Sequence, residues 1–357
     1  MNWNNTLTAL LDIKYPIVQA PMLGVTTPEM VAAVSNEGGL GSLPVGLLSP
    51  EKTRDLIIKT KTLTDKPFAV NLFTHELPNT DIIAAERIQK RLTEISTQYG
   101  IEYDSVNLDK TSYFSYREQL DILISEQVKI VSFTFGVLDK ASIEKLHSNG
   151  VVIIGTATSV REAHFLDETG IDVITAQGIE AGGHRGTFFF DEPLPQVGLI
   201  SLLPQVADSV KRPILAAGGI MDGRAIRAAM ILGASGVQAG SAFVGSHESL
   251  AIKNYKEALL VSKDTDTVLT RAFSGRWARG ISNTFHNEVQ KLNLDYPPYP
   301  ILNTLTAPMR TAAQKVQNKE FTTLWAGQSA SMAKLKSSAE IFRFLVEDTE
   351  NLTGRSG

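Results

Sequence analysis

Residues 176–188, AQGIEAGGHRGTF, set His184 directly after two glycines. An imidazole titrates near neutral pH, so on a bendable segment it can act as a general base or hold an anion. The competing reading is a surface or supporting histidine. That plainer reading is the one for His75, His147, His164, His247 and His286, which fall on helical, loop or polar stretches without clustered partners. No two histidines show metal-ligand spacing together with a carboxylate, so no metal site is expected. No GxSxG nucleophile pattern occurs. The chain has no cysteine, which excludes disulfides, thiolate nucleophiles, iron–sulfur clusters and Cys-type zinc sites.

Two glycine-bearing stretches suit an anion. AAGGIMDGR (216–224) carries Gly218 and Gly219 just before a helix start, and QAGSAF (238–243) carries Gly240 and Ser241. Glycine lets backbone amides close on phosphate oxygens, and a serine hydroxyl adds a donor. A lone GG would be an ordinary turn; matching GG and AGS at two successive strand ends favour phosphate. No GxGxxG opens a βαβ unit and no Walker A lysine is present, which disfavours a Rossmann dinucleotide and favours a mononucleotide cofactor such as FMN. Asn71, in FAVNLF, and Gln177, in ITAQG, are amides at strand ends that can both donate and accept, as the pyrimidine edge of a flavin requires. Either alone would read as strand-end capping.

The elements that must position these residues alternate regularly. Apolar runs at 15–22, 39–46, 67–73, 128–136, 151–157, 172–178, 213–219 and 236–243 are each followed by a helix-patterned stretch. The runs are continuous rather than alternating, as expected of strands buried on both faces of a parallel sheet. Eight βα units in roughly 250 residues predict a (β/α)8 TIM barrel, with an open doubly wound sheet as the alternative. Active sites of such barrels lie at the C-terminal strand ends, with phosphate held after strands seven and eight. A polar, helix-patterned insertion (74–126) follows the third strand, and a C-terminal helical elaboration (265–350) follows the eighth unit. No linker divides the chain, so 1–350 read as one domain and 351–357 as a flexible tail.

At 357 residues, with 43% hydrophobic and 20% charged residues, the composition is that of a globular protein that can bury a sizeable core. A net charge of -4 gives no electrostatic case for nucleic acid or an anionic membrane as partner. The N-terminus lacks a signal-peptide pattern and no apolar run spans a bilayer, which predicts a cytoplasmic protein.

With YPIVQAPM, VAAVSNEGGLGSLP, VNLF, SFTFG, GTATSVREA, AQGIEAGGHRGTF, PILAAGGIMDGR, GVQAGSAF, RAFSGRWARGI and WAGQS in view, the chain resembles the nitronate monooxygenases over nearly its full length. The resemblance implies a TIM-barrel flavoprotein with tightly bound FMN that oxidises alkyl nitronates with O2, propionate 3-nitronate being the suggested natural substrate and detoxification the role. It implies that Asn71 and Gln177 contact the isoalloxazine region and that Met22, in Ala20–Met22, lies against the ring. It assigns Gly182, Gly219 and the run Gln238, Ala239, Gly240 and Ser241 to the ribityl phosphate end, and matches His184 to the catalytic histidine. FMN-dependent NAD(P)H reductases on the same barrel, acting on enoyl-ACP or quinones, carry a similar GGH segment and stand as the alternative. Preferred nitronate and oligomeric state are not legible.

Overall fold

The computed structural model describes residues 2–77, 81–189, 193–292 and 295–352. Eight strands run parallel: β1 (Ile17–Gln19), β2 (Gly41–Pro44), β3 (Phe68–Phe73), β4 (Ile130–Thr134), β5 (Val152–Ala157), β6 (Val173–Gln177), then β8 (Ile214–Ala217) and β9 (Gly236–Ala239). Between β6 and β8 in the chain lies a two-residue strand, β7 (Gly183–His184). The eight pair in the order β1-β9-β8-β6-β5-β4-β3-β2. A parallel bridge from Val18 to Leu40 joins the two ends of that order. The barrel expected from the eight apolar runs is therefore the observed architecture.

Its local causes are plain in the sequence. The helices after β1, β2, β4 and β5 start behind Thr27, Ser49, Asp139 and Ser159, each of which accepts a hydrogen bond from a first-turn amide. Six of the strands give one side chain each to a small inner core: Val18, Ala69, Ile130, Ile154, Val173 and Leu215, with Leu40 beside β2. Leu7 and Leu11, one helical turn apart on the helix Thr6–Leu11, join this cluster and are at most 1% exposed. That helix plugs the N-terminal mouth. The barrel is consequently sealed at one end and can hold a ligand only at the other.

The insertion and the C-terminal elaboration, separate in sequence, pack on each other. Ala85, Ile88, Leu92 and Ile95 form the 3–4 spaced apolar stripe of helix Ile82–Tyr99. They share a core with Phe273, Phe285, Leu302, Leu305 and Met309. The elaboration also contributes β10 (Thr267–Thr270) and β11 (Ala278–Ile281), which form an antiparallel three-stranded sheet with β7. The final helix, Ser338–Asn351, runs into the first residue of the expected tail; 353–357 lie outside the described residues. Among the described residues no helix is long and apolar enough to cross a membrane.

Candidate active site

A cavity of about 420 Å³ opens at the C-terminal strand ends, within the usual size range for ligand pockets. Met22, Asn71, Gln177, Gly182, His184, Gly218, Gly219, Gln238, Gly240 and Ser241 all line it. One expected residue does not. Ala239 is 1% exposed in the barrel core, and its carbonyl accepts the Ala20 amide at 2.8 Å. Strand alternation explains this: Gln238 and Gly240 turn to the cavity, so the residue between them turns away.

The glycines do different jobs. Gly218 and Gly219 have φ of 128° and 68°, left-handed values that side chains rarely adopt, so the turn after β8 needs both. A Cβ at Gly182 would lie 2.4 Å from the Gly327 nitrogen, so this glycine admits the WAGQS segment. At Gly240 a Cβ would meet only the Ala20 methyl at 3.5 Å and the Met22 sulfur at 4.0 Å. Space is therefore left open beside Gly240 on the ligand side. Ser241 accepts the Gly327 amide at 2.9 Å, which leaves its own hydroxyl proton to donate.

The amides divide likewise. Asn71, 2% exposed, donates to the Ser132 hydroxyl at 3.0 Å and keeps its carbonyl oxygen uncommitted among the described residues. Gln177 donates to the His184 carbonyl at 3.1 Å and accepts the Gly186 amide at 2.8 Å. Its amide therefore clasps the histidine segment, a use that strand-end position alone does not disclose.

His184 sits in strand pairing rather than in a free loop: it faces Ala278, and Gly183 faces Arg279. Arg185 donates to the carbonyls of Gly178 and Gln177 at 2.5 and 3.0 Å. Buried Glu162 accepts Thr158 N and Oγ1 at 2.6 and 2.7 Å, and Thr187 Oγ1 and Phe188 N at 2.7 Å. Replacing Glu162 by alanine strands those donors, and the expected cost is about 3–5 kcal/mol of stability. A urea midpoint lowered in proportion, at unchanged slope, checks it. A loss under about 1 kcal/mol would show that other contacts hold the segment.

His184 Nε2 lies 2.7 Å from the hydroxyl of buried Ser274. Phe135, Tyr299 and Trp325 surround the ring at centroid distances of 5.2, 6.1 and 5.3 Å. Phe135 holds a φ of 79°, a strained value for a side-chain-bearing residue, and carries the Arg276 guanidinium 4.3 Å above its ring. Burial, and then the charges of Arg276 and Arg310, push the imidazole down to about 3. Burial pushes both guanidiniums down to about 10. The site thus holds a neutral imidazole under the influence of two desolvated cations.

Tyr299, Arg310 and Trp325 were not singled out from sequence as site residues. Trp325 lies in WAGQS, whose residues were given no role, and Tyr299 lies in the segment YPPYP, 296–300. Arg310 lies mid-helix and carries no local signal. His75 also departs from expectation: its ring packs edge-on to Tyr299 at 4.8 Å with both nitrogens buried and unpaired, and burial lowers it to about 4. Among the described residues no group of three His, Cys, Asp or Glu side chains could hold a metal.

A barrel with open glycine turns after its last two strands and a buried histidine at the mouth has the architecture of a cofactor-binding oxidoreductase. The nitronate monooxygenase family model matches residues 4–348, and the chain belongs to that family. A probable nitronate monooxygenase of Staphylococcus aureus strain JH9 is 44% identical over 333 residues, covering 93% of each chain. Nitroalkane oxidase from Streptomyces ansochromogenes superposes with a TM-score of 0.88 at 35% identity, covering 98% of this chain and 99% of that one. FabK from Thermotoga maritima superposes at 0.77 with 28% identity, over 98% and 97%. The protein is accordingly a flavin-dependent oxidoreductase of the nitronate monooxygenase family.

Proposed function

We propose that this enzyme binds FMN at the C-terminal mouth of a single domain (1–350) and oxidises alkyl nitronates with O2, detoxifying compounds such as propionate 3-nitronate in the cytoplasm. The observation that carries the reading is the neutral His184 imidazole, which lines the cavity with Arg310 and feels the charge of Arg276 as well. Two cations and a neutral hydrogen-bonding ring suit an anionic substrate.

The chain's residues fit the cofactor. The turn after β8 and the open side of Gly240 leave room for a phosphate, and Ser241 keeps a proton to donate to it. The free carbonyl of Asn71 is an acceptor for a flavin N–H. Bound FMN supplies a one-electron acceptor that passes electrons from substrate to O2.

His184 orients the substrate, and Ser274 sets which nitrogen carries the proton. When the Ser274 hydroxyl donates to Nε2, Nδ1–H faces outward as a donor to a nitronate oxygen. When that hydroxyl turns to the Arg276 carbonyl, 3.4 Å away, it accepts Nε2–H and leaves Nδ1 as a base for the carbon-bound proton of a nitroalkane. The charges of Arg276 and Arg310, both felt at His184, favour an anion beside it in either case.

Anaerobic mixing tests the reading. Bleaching of the flavin by nitronate, with none by NAD(P)H, is expected, and denatured holoenzyme should release FMN. Rapid bleaching by NAD(P)H alone would favour an enoyl-ACP or quinone reductase, the alternative that the FabK likeness keeps in view.

A further inference from the structure

The segment WAGQS (325–329) lies outside the eight βα units, yet it reaches both groups of site residues. Trp325 packs against His184 at a centroid distance of 5.3 Å, and Ser329 stands beside the turn after β8. Backbone contacts fix this strap. The Tyr255 hydroxyl donates to the Trp325 carbonyl, the Gly327 amide to Ser241 Oγ at 2.9 Å, and the Gln328 amide to the Glu180 carbonyl at 3.0 Å. The Ser329 side chain takes no part: its hydroxyl bonds to no other described residue, and the residue lines the cavity. That hydroxyl lies 3.7 Å from the position a Cβ would take on Gly219. Gly219, Ser329, Gly327 and Ser241 are therefore neighbours on one patch of the cavity wall, which carries two hydroxyls.

An anion on this patch must be held by neutral donors. Arg310 is the one Lys or Arg among the described residues lining the cavity, and its charge is felt at His184. The adjacent carboxylate does not oppose an anion. Glu180 passes its Cγ 3.6 Å from the same Gly219 position, but both its carboxylate oxygens accept the Leu199 amide, at 2.9 and 3.1 Å. It does not line the cavity. Resting on the FMN reading above, we infer that Ser329 is a cofactor-binding residue whose hydroxyl donates to the phosphate of the flavin alongside Ser241. The barrel turns then supply only part of the phosphate cradle, and the strap from the C-terminal elaboration supplies the rest. A hydroxyl donating to an ionised oxygen makes one of the stronger hydrogen bonds, and here no cation competes for the charge.

Competition between FMN and riboflavin, which lacks the phosphate, isolates this contact without turnover. Holoenzyme is equilibrated with a graded excess of riboflavin, and the flavins still bound are separated and quantified after denaturation. Wild type should retain FMN against a large excess. Ser329→Ala should lower the preference for FMN over riboflavin about 10- to 100-fold. Its circular dichroism spectrum should stay that of wild type, because the lost hydroxyl bonds to no other described residue. Ser329→Thr keeps a hydroxyl and should restore most of the preference. A residue that merely shaped the strap would weaken both flavins alike, so an unchanged preference in Ser329→Ala would remove Ser329 from the phosphate site and leave the FMN reading intact. A wild-type protein that holds neither flavin would overturn the FMN reading, and this assignment with it.

Discussion

Replacing His184 with asparagine is expected to abolish most turnover of neutral nitroalkanes while sparing much of the turnover of preformed nitronates. A nitroalkane must lose a carbon-bound proton, and removing a general base typically costs ~10²–10⁴ in rate. A nitronate has already lost it. The variant then forfeits one hydrogen bond to the anion, about 5- to 30-fold, with Arg276 and Arg310 still in place. The pH profile adds a second check. Burial and two cations push His184 to about 3, so its base form persists on the acid side. The wild-type kcat/KM should show no imidazole inflection between about pH 5 and 8. Oxygen-consumption rates on nitroalkane and on base-generated nitronate decide the matter. Equal losses would make His184 an anion holder only, and no loss on either would place the chemistry elsewhere.

The second large effect concerns Gly240. Valine there is expected to yield folded apoprotein. The backbone accepts a side chain, since a Cβ meets nothing closer than 3.5 Å, and the position lies outside the barrel's inner core. The added branch instead fills the space where the phosphate would lie against the turn. Flavin absorbance per polypeptide should fall by more than tenfold, of the order expected when a charged ligand's contacts are lost, while the circular dichroism spectrum stays native. Gly182→Val provides the contrast: its Cβ would strike the backbone of 326–327 at 2.4 Å, so that variant should lose stability first. Full flavin content in Gly240→Val would remove this turn from the cofactor site.

The eight units were legible because burial on both faces writes a parallel strand as an unbroken apolar run, and because Thr27, Ser49, Asp139 and Ser159 mark helix starts. Residues at strand ends were legible for the same reason: barrel geometry gathers them wherever the loops go. Arg310 and Tyr299 were not, since they reach the cavity from a segment whose placement depends on packing with the insertion helix, a contact between residues some 200 positions apart. The role of Gln177 was hidden differently. Its place on the strand was clear, but its bonds to His184 and Gly186 depend on how the following segment turns back. Local pattern reports where a side chain starts, and tertiary contacts decide what it meets.

The pairing of β7 with β11 links His184 to residues more than ninety positions later in the chain. Order of assembly follows from this. The barrel strands and their glycine turns are complete by Ser241, but the cavity they open is closed by Trp325, Gly327 and Ser329 from the C-terminal elaboration. His184 acquires its strand partner, its Ser274 contact and both neighbouring cations only when 265–315 has docked. Closing so long a loop is slow relative to local folding. The His184 side of the cavity therefore depends on contacts between segments far apart in the chain, which form after the local ones.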